Sequence, residues 1–132
     1  MSHPHEGLLR TNYEAFGKGD VATMVSSFAD DIQWHVSGDS PVAGDYSGTE
    51  AVLGFLSKMM ELYGGTLRLE VIDVLANDDL GIVVTEERAE YDGKALEYSG
   101  IHRWEFREGK LARFQNYADD TYNRFWAEAA AA

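Results

Sequence analysis

The residue of this chain best suited to proton transfer is His102, which lies in a segment with regular two-residue alternation. Between residues 95 and 107 one set of positions is mostly apolar and the other mostly polar, which predicts a strand with one packed face. His102 falls on the packed face, between Gly100 and Trp104. An imidazole changes charge near neutral pH, so this side chain can donate or accept a proton. The alternative is a core histidine held by a backbone carbonyl.

Further candidate site residues are an amide and several aromatic side chains. Asn116 lies in the last predicted strand, and its amide cannot carry a proton at physiological pH but can orient a substrate oxygen. Trp34, Trp104 and Phe114 are suited to the walls of an apolar pocket, although core packing uses the same residue types. Composition does not separate these two roles, since aromatic residues make up 12% of the chain.

Arg88 and Glu90 form a charged pair whose orientation the sequence leaves open. Because they are two residues apart, both project from one face of a strand. If that face is inward, Arg88 is a buried cation that needs a carboxylate partner and can bind substrate. If it is outward, the pair belongs to a solvated row of charges, which the adjacent Glu86 and Glu87 favour. We take both residues as candidate substrate-binding residues.

Helical patterns come first in the chain. From residue 8 to residue 28 apolar positions recur at helical spacing, with a glycine-containing break and with Asp20 as the cap of a second helix. A short strand is predicted at 32–36 and a loop at 37–48, where Gly, Ser, Asp and Pro are frequent. Thr49 is predicted to cap a third helix.

The second half of the chain is typical of an antiparallel meander. Short turn sequences separate four segments rich in β-branched and aromatic residues, at 66–76, 80–91, 95–107 and 110–118. Helices followed by such a meander predict a single α+β domain over residues 1–132, with helices packed on one face of the sheet. We expect residues 1–6 to be disordered and residues 120–132 to form a C-terminal helix.

Composition excludes several classes of function. The chain has no cysteine and a formal net charge of −12, so thiolate chemistry is excluded, and nucleic acid and membrane partners are not expected. No His, Asp or Glu group has metal-ligand spacing, and no glycine-rich phosphate loop precedes a helix. The absence of a signal-like start and of cysteine is compatible with a cytoplasmic location. We therefore expect no metal and no cofactor.

Three segments resemble the nuclear-transport-factor-two-like superfamily, and in particular its SnoaL-like (polyketide-cyclase-like) and ketosteroid-isomerase-like branches. They are YEAFGKGD at 13–20 with FADDI at 28–32, PVAGDYSGTEAV at 41–52, and GKLARFQNYAD at 109–119. The resemblance covers nearly the whole chain and follows the family's order. It implies a cystatin-like cone in which a strongly bent antiparallel sheet and its helices enclose an apolar cavity. It also implies cofactor-free acid–base chemistry and a homodimer formed through the outer face of the sheet, where Ile101 lies.

The resemblance also assigns roles to individual residues. The position of His102 resembles one from which family members present an acid or a histidine to the substrate. Asn116 replaces the aspartate that cyclase-like and epoxide-hydrolase-like relatives use, which argues against both of those activities. Arg88 and Glu90 resemble the Arg-x-Asp of the epoxide-hydrolase branch. The tyrosine donor of ketosteroid isomerases corresponds to Asn12, with Tyr13 next to it as a candidate substrate-binding residue.

Two functions follow from these observations. The first is a cofactor-free enzyme that performs acid–base chemistry on a hydrophobic carbonyl compound, with His102 as proton donor or acceptor. The second is a non-catalytic domain that binds a small hydrophobic or aromatic molecule, which the amide at position 116 favours. The fold alone does not separate these functions, because one fold hosts many activities.

Overall fold

The computed structural model describes residues 3–131 and contains, within that range, four helices and six strands. Their order mixes short helices and strands in the first half with long consecutive strands in the second. The elements are α1 (Pro4–Lys18), α2 (Val21–Ser26), β1 (Phe28–Val36), β2 (Gly44–Ser47), α3 (Thr49–Leu62), β3 (Arg68–Ala76), β4 (Leu80–Tyr91), β5 (Lys94–Arg107), β6 (Lys110–Ala118) and α4 (Asp120–Ala131).

The six strands form one sheet in the order β2-β1-β6-β5-β4-β3. Strands β3 to β6 pair antiparallel as a meander, which confirms the predicted order and bounds to within two residues. The exception to an all-antiparallel sheet is β1, which pairs in parallel with β6. Hairpin signals in a sequence report only on neighbours along the chain, so they carry no information about this long-range pair. The predicted α+β class with helices against a bent sheet is confirmed.

The N-terminal helix begins earlier than the sequence pattern predicts. His3 caps α1 by accepting the backbone N–H of His5, and the Glu6 side chain accepts the backbone N–H of His3 in return. Pro4 occupies the first helical turn, where its missing N–H costs nothing. This reciprocal cap orders residues 3–6, so the expectation of disorder is wrong there, while residues 1 and 2 lie outside the described range.

The segment between the first two helices and α3 differs from the prediction in three details. The short strand begins at Phe28 rather than Ile32, and part of the predicted loop forms β2, which pairs with the end of β1. The cap position of α3 is Gly48, at a φ of 86°, and Thr49 is the first helical residue. Asp20 caps α2 as predicted, through the backbone N–H of Thr23 at 3.2 Å.

Helices α1, α3 and α4 contact the inner face of the sheet, and the core lies between them. A first group of buried side chains joins α1, α3 and the inner sides of β1, β4, β5 and β6. A second, smaller group joins α4 to the sheet and to the end of α3. It contains Tyr63, Leu96, Tyr122 and Trp126. A cavity lies between the two groups, and its lining includes residues of α1, α3 and the sheet. None of the helices within residues 3–131 has the length and apolar character needed to cross a membrane.

The outer face of the sheet carries exposed apolar side chains. Leu75, Ile101 and Tyr117 are 56%, 38% and 46% exposed. Ile101 lies directly between Val84 on β4 and Tyr117 on β6, so the apolar surface crosses three strands. Homodimer formation through this face stays a prediction.

Candidate functional site

His102 lies on the inner face of β5, as the alternation of that strand predicts. Gly100, His102, Trp104 and Phe106 are all buried, while the residues between them are half-buried or exposed. The His102 ring packs edge-on against Phe114 of β6, with ring centroids 5.1 Å apart. The imidazole is therefore held in the wall of the cavity by its strand and by an aromatic neighbour.

The carboxylate partner of His102 is Glu87 on β4. Nε2 of His102 is 3.3 Å from Oε2 of Glu87, and both residues are 8% exposed. The Glu87 carboxylate also accepts hydrogen bonds from the hydroxyl of Thr85 at 2.8 Å and from the hydroxyl of Tyr98 at 3.0 Å. Both of its oxygens are thus occupied by donors, as a buried carboxylate requires.

The other ring nitrogen of His102 faces Tyr13 of α1. Nδ1 is 2.5 Å from the Tyr13 hydroxyl oxygen, which also accepts the Nε1–H of Trp104 at 3.0 Å. When His102 is neutral, Nδ1 accepts the Tyr13 O–H and Nε2–H donates to Glu87. When His102 is an imidazolium, both ring nitrogens donate and the Tyr13 O–H is released toward other acceptors. We call Glu87, His102 and Tyr13 the relay.

The electrostatics of the relay favour an ionised Glu87 and a neutral Tyr13. Burial raises the pKa of Glu87, but hydrogen bonds from His102, Thr85 and Tyr98 and the charge of His102 outweigh it, so that pKa is lowered overall. Burial, reinforced by the negative charge of Glu87, raises the pKa of Tyr13 well above its usual value. The Tyr98 pKa is raised by the same two causes. Glu87 is therefore a fixed negative charge at neutral pH, and both tyrosines keep their protons.

Gly100 makes room for this carboxylate. A Cβ at position 100 would lie 2.7 Å from the Thr85 hydroxyl oxygen and 2.8 Å from Oε2 of Glu87. Both distances are shorter than real Cβ contacts. Any side chain at position 100 would therefore push into the hydrogen bond between Thr85 and Glu87.

The cavity beside the relay is mostly apolar. The space open to the centre of a water molecule is about 80 Å³, several times the roughly 10–15 Å³ that one water needs on this measure. Trp34 stacks on Phe114 with ring centroids 4.0 Å apart, and Trp104 packs edge-on against both. The rest of the lining is made of aliphatic and further aromatic side chains: Val36, Val42, Phe55, Leu56, Met59, Tyr63, Leu69, Tyr98 and Tyr122.

Comparison with known proteins identifies the family. A family model described as a SnoaL-like domain matches residues 9–114. The chain belongs to the SnoaL-like family. It is 31% identical over 123 residues to the uncharacterized protein Rv0034 of Mycobacterium tuberculosis, covering 91% of this chain and 94% of that protein.

Solved structures agree with this assignment. Bal32a, from a soil-derived mobile gene cassette, is 31% identical with a TM-score of 0.84, covering 91% of this chain and 94% of its own. A protein of Xanthomonas campestris with a cystatin-like fold is 26% identical with a TM-score of 0.82, covering 91% and 95%. Other structures with this fold are described as nuclear-transport-factor-two-like. The predicted membership of that superfamily is confirmed.

In this SnoaL-like domain Asn116 lies in the cavity wall, on β6 directly opposite His102 of β5. Its Oδ1 accepts the backbone N–H of Ser37 at 2.7 Å, which ties the end of β1 to the last strand. Trp34, Trp104, Phe114 and Tyr13 also line the cavity. The structure thus brings together six of the eight predicted site residues.

Arg88 and Glu90, the other two, lie on the outer face of β4 and are exposed. Of the two orientations left open by the sequence, the structure has the outward one. The prediction that Arg88 and Glu90 bind substrate in the cavity is therefore wrong. The residue that sequence reasoning missed is Glu87. The two-residue alternation of β4 could have identified it, because Glu87 falls on the same face as Val83, Thr85 and Ala89, and all four are buried.

Within residues 3–131, no group of three or more His, Asp or Glu side chains is arranged to hold a metal ion. The Tyr13 and His102 side chains that face the cavity are bound to one another, and Oδ1 of Asn116 is bound to a backbone N–H.

The lowered pKa of Glu87 predicts a pH-dependent contribution to stability. A carboxyl group whose pKa is lower in the folded than in the unfolded chain stabilises the fold above its ordinary value of 4.5. That contribution is lost as the pH falls below 4.5 and through the folded-state pKa. We therefore expect the free energy of unfolding to differ between wild type and Glu87→Gln by a constant amount near neutral pH, and the difference to shrink in acid.

The measurement is denaturant unfolding of both proteins across this pH range. Glu86→Gln is the matched control, because it makes the same change at the adjacent, exposed position. A wild-type advantage over Glu87→Gln that grows as the pH falls would contradict the assignment of Glu87 as a stabilised carboxylate.

Proposed function

We propose that this SnoaL-like domain is a cofactor-free acid–base enzyme that moves a proton at a carbonyl group of a small hydrophobic substrate. The observation that carries the proposal is the buried relay, in which an ionised Glu87 faces one nitrogen of His102 and the Tyr13 hydroxyl faces the other. Perturbed titratable groups lining an apolar cavity are typical of catalytic sites.

The relay transfers one proton while Glu87 stays ionised. With His102 as imidazolium, the Tyr13 O–H donates to a substrate carbonyl oxygen and the Nδ1–H of His102 moves to the Tyr13 oxygen. His102 ends neutral, Tyr13 ends unchanged, and the substrate oxygen has gained the proton. Trp104 holds the Tyr13 oxygen in place during this exchange through its Nε1–H. The reverse sequence removes a proton from an enol.

Enolisation is the simplest reaction that such a relay supports. As the carbonyl oxygen gains a proton from Tyr13, the adjacent carbon loses one to water, and the enol forms. Isomerases and cyclases that act on carbonyl compounds share this step, and the sequence resemblance extends to both classes. The proposed substrate is hydrophobic or aromatic because the cavity walls are. A cytoplasmic location and a homodimeric state are part of this proposal.

Exchange of hydrogen for deuterium in indanone tests the proposal. Protonation of the carbonyl oxygen speeds loss of a hydrogen from the carbon beside it, and in deuterium oxide that hydrogen is replaced by deuterium. We expect the protein to accelerate this exchange above the rate in matched buffer, as followed by proton NMR. An exchange rate equal to that in buffer, with the ketone bound, would count against enzymatic function.

The second candidate is a binding domain that performs no chemistry, and the amide at position 116 favours it. Asn116 cannot exchange a proton, so a second acid–base group opposite His102 is missing. Binding of indanone without accelerated exchange would select this function.

A further inference from the structure

The amide of Asn116 is fixed with its nitrogen available. Its oxygen lies 2.7 Å from the backbone N–H of Ser37. Because a backbone N–H only donates, the atom facing it must be Oδ1 rather than Nδ2. Nδ2 has no acceptor among residues 3–131, and Asn116 lines the cavity. The side chain therefore presents hydrogen-bond donors rather than an acceptor.

Other donors lie in the same wall. His102 is the direct partner of Asn116 across β5 and β6, an arrangement that places Cβ atoms about 5 Å apart. The Tyr13 hydroxyl is 2.5 Å from His102. Trp34 lines the cavity, and its Nε1 is a buried donor without an acceptor among the described residues. A buried donor left without a partner is costly, whereas the Tyr13 hydroxyl and the Asn116 amide belong to residues that line the cavity.

The oxygens of Glu87 and Oδ1 of Asn116 already accept hydrogen bonds or face a donor. Thr85, Tyr98 and His102 bind the Glu87 carboxylate, and Ser37 binds Oδ1 of Asn116. A ligand hydroxyl or amine would therefore have to compete with these donors for the oxygens of Glu87 and Asn116.

We infer that Asn116 is a ligand-binding residue that selects hydrophobic molecules with two acceptor oxygens, one for the Tyr13–His102 pair and one for its own Nδ2. Replacement of the amide by a carboxylate would keep the acceptor for Ser37 but turn the donor into a second acceptor. Asn116→Asp therefore weakens the site for such a ligand. The inference rests on the proposed function for the location of the site, but it concerns binding selectivity and not proton transfer.

The test uses three probes that differ in the number of carbonyl groups: indane, indanone and indane-dione, each with two methyl groups on the middle carbon of the five-membered ring, so that neither ketone can enolise. Their affinities for the protein are measured by calorimetry or by tryptophan fluorescence. We expect the dione to bind wild type about tenfold more tightly than the monoketone, the scale of one added hydrogen bond. In Asn116→Asp and in Asn116→Leu the two probes should bind equally, or the dione more weakly.

Gln115→Glu is the matched control, because it makes the same amide-to-acid change on the neighbouring residue, which does not line the cavity. It should keep the preference for the dione. Asn116→Leu adds no charge and decides the result if Asn116→Asp does not fold. Equal binding of both ketones by wild type, or an unchanged preference in Asn116→Leu, would overturn the inference. Because no probe has to react, failure here is distinct from failure of the exchange assay.

Discussion

Replacement of His102 by glutamine should lower the rate of protein-catalysed deuterium exchange in indanone at least about a hundredfold, the usual scale of general acid–base help. Glutamine keeps the approximate volume and can hydrogen-bond to both Glu87 and Tyr13. It cannot take up or release a proton, so the relay from Glu87 to Tyr13 is interrupted. Affinity for the ketone should stay within about tenfold, since the aromatic walls are unchanged.

His35→Gln is the control for this experiment. It removes a histidine that is partly exposed and pairs with Asp45 at the sheet edge, 2.6 Å away. Its exchange rate should equal that of wild type. If His102→Gln also kept the wild-type rate, the histidine would be structural and the chemistry would lie elsewhere in the cavity.

Replacement of Glu87 by methionine should lower the free energy of unfolding by about 3 kcal/mol, roughly 1 kcal/mol for each buried donor that loses its acceptor. Those donors are the hydroxyls of Thr85 and Tyr98 and Nε2 of His102. Methionine is similar in volume to glutamate and leaves no large cavity, so the loss reports mainly on hydrogen bonding.

Denaturant titration gives this difference directly if the slope of the transition stays constant. Glu86→Met is the control, because Glu86 is exposed and, among residues 3–131, accepts only from Ser99. It should cost less than about 1 kcal/mol, as surface substitutions usually do. Equal stability of Glu87→Met and wild type would mean that these donors find other acceptors and that Glu87 does not anchor His102.

Most of the fold could be predicted from the sequence because its signals are local. The turns after Ala76, Tyr91 and Arg107 are short and glycine- or asparagine-containing, so the four long strands and their antiparallel order follow directly. The pairing of β1 with β6 joins residues about eighty positions apart, for instance Trp34 with Phe114. No local pattern encodes such a contact.

The candidate site was predictable only in part, for a different reason. The inward positions of His102 and Trp104 follow from the alternation of β5. Glu87 was hidden because it follows another glutamate, and two adjacent acids usually indicate a solvated surface. The contact between Tyr13 and His102 depends on how α1 packs across the sheet, which no spacing along the chain specifies.

The absent side chain of Gly100 has a consequence for recognising the same arrangement in other sequences. The Thr85 and Glu87 side chains occupy the volume that a Cβ at position 100 would fill. A buried carboxylate of this kind therefore requires a glycine on the neighbouring strand, two positions before the histidine. A search pattern made of the Thr-x-Glu of one strand and the Gly-x-His of the next therefore describes the pair better than either residue alone. A chain with a larger residue at the glycine position should lack this ion pair even where its glutamate and histidine are retained, and substitutions at the two positions should appear together.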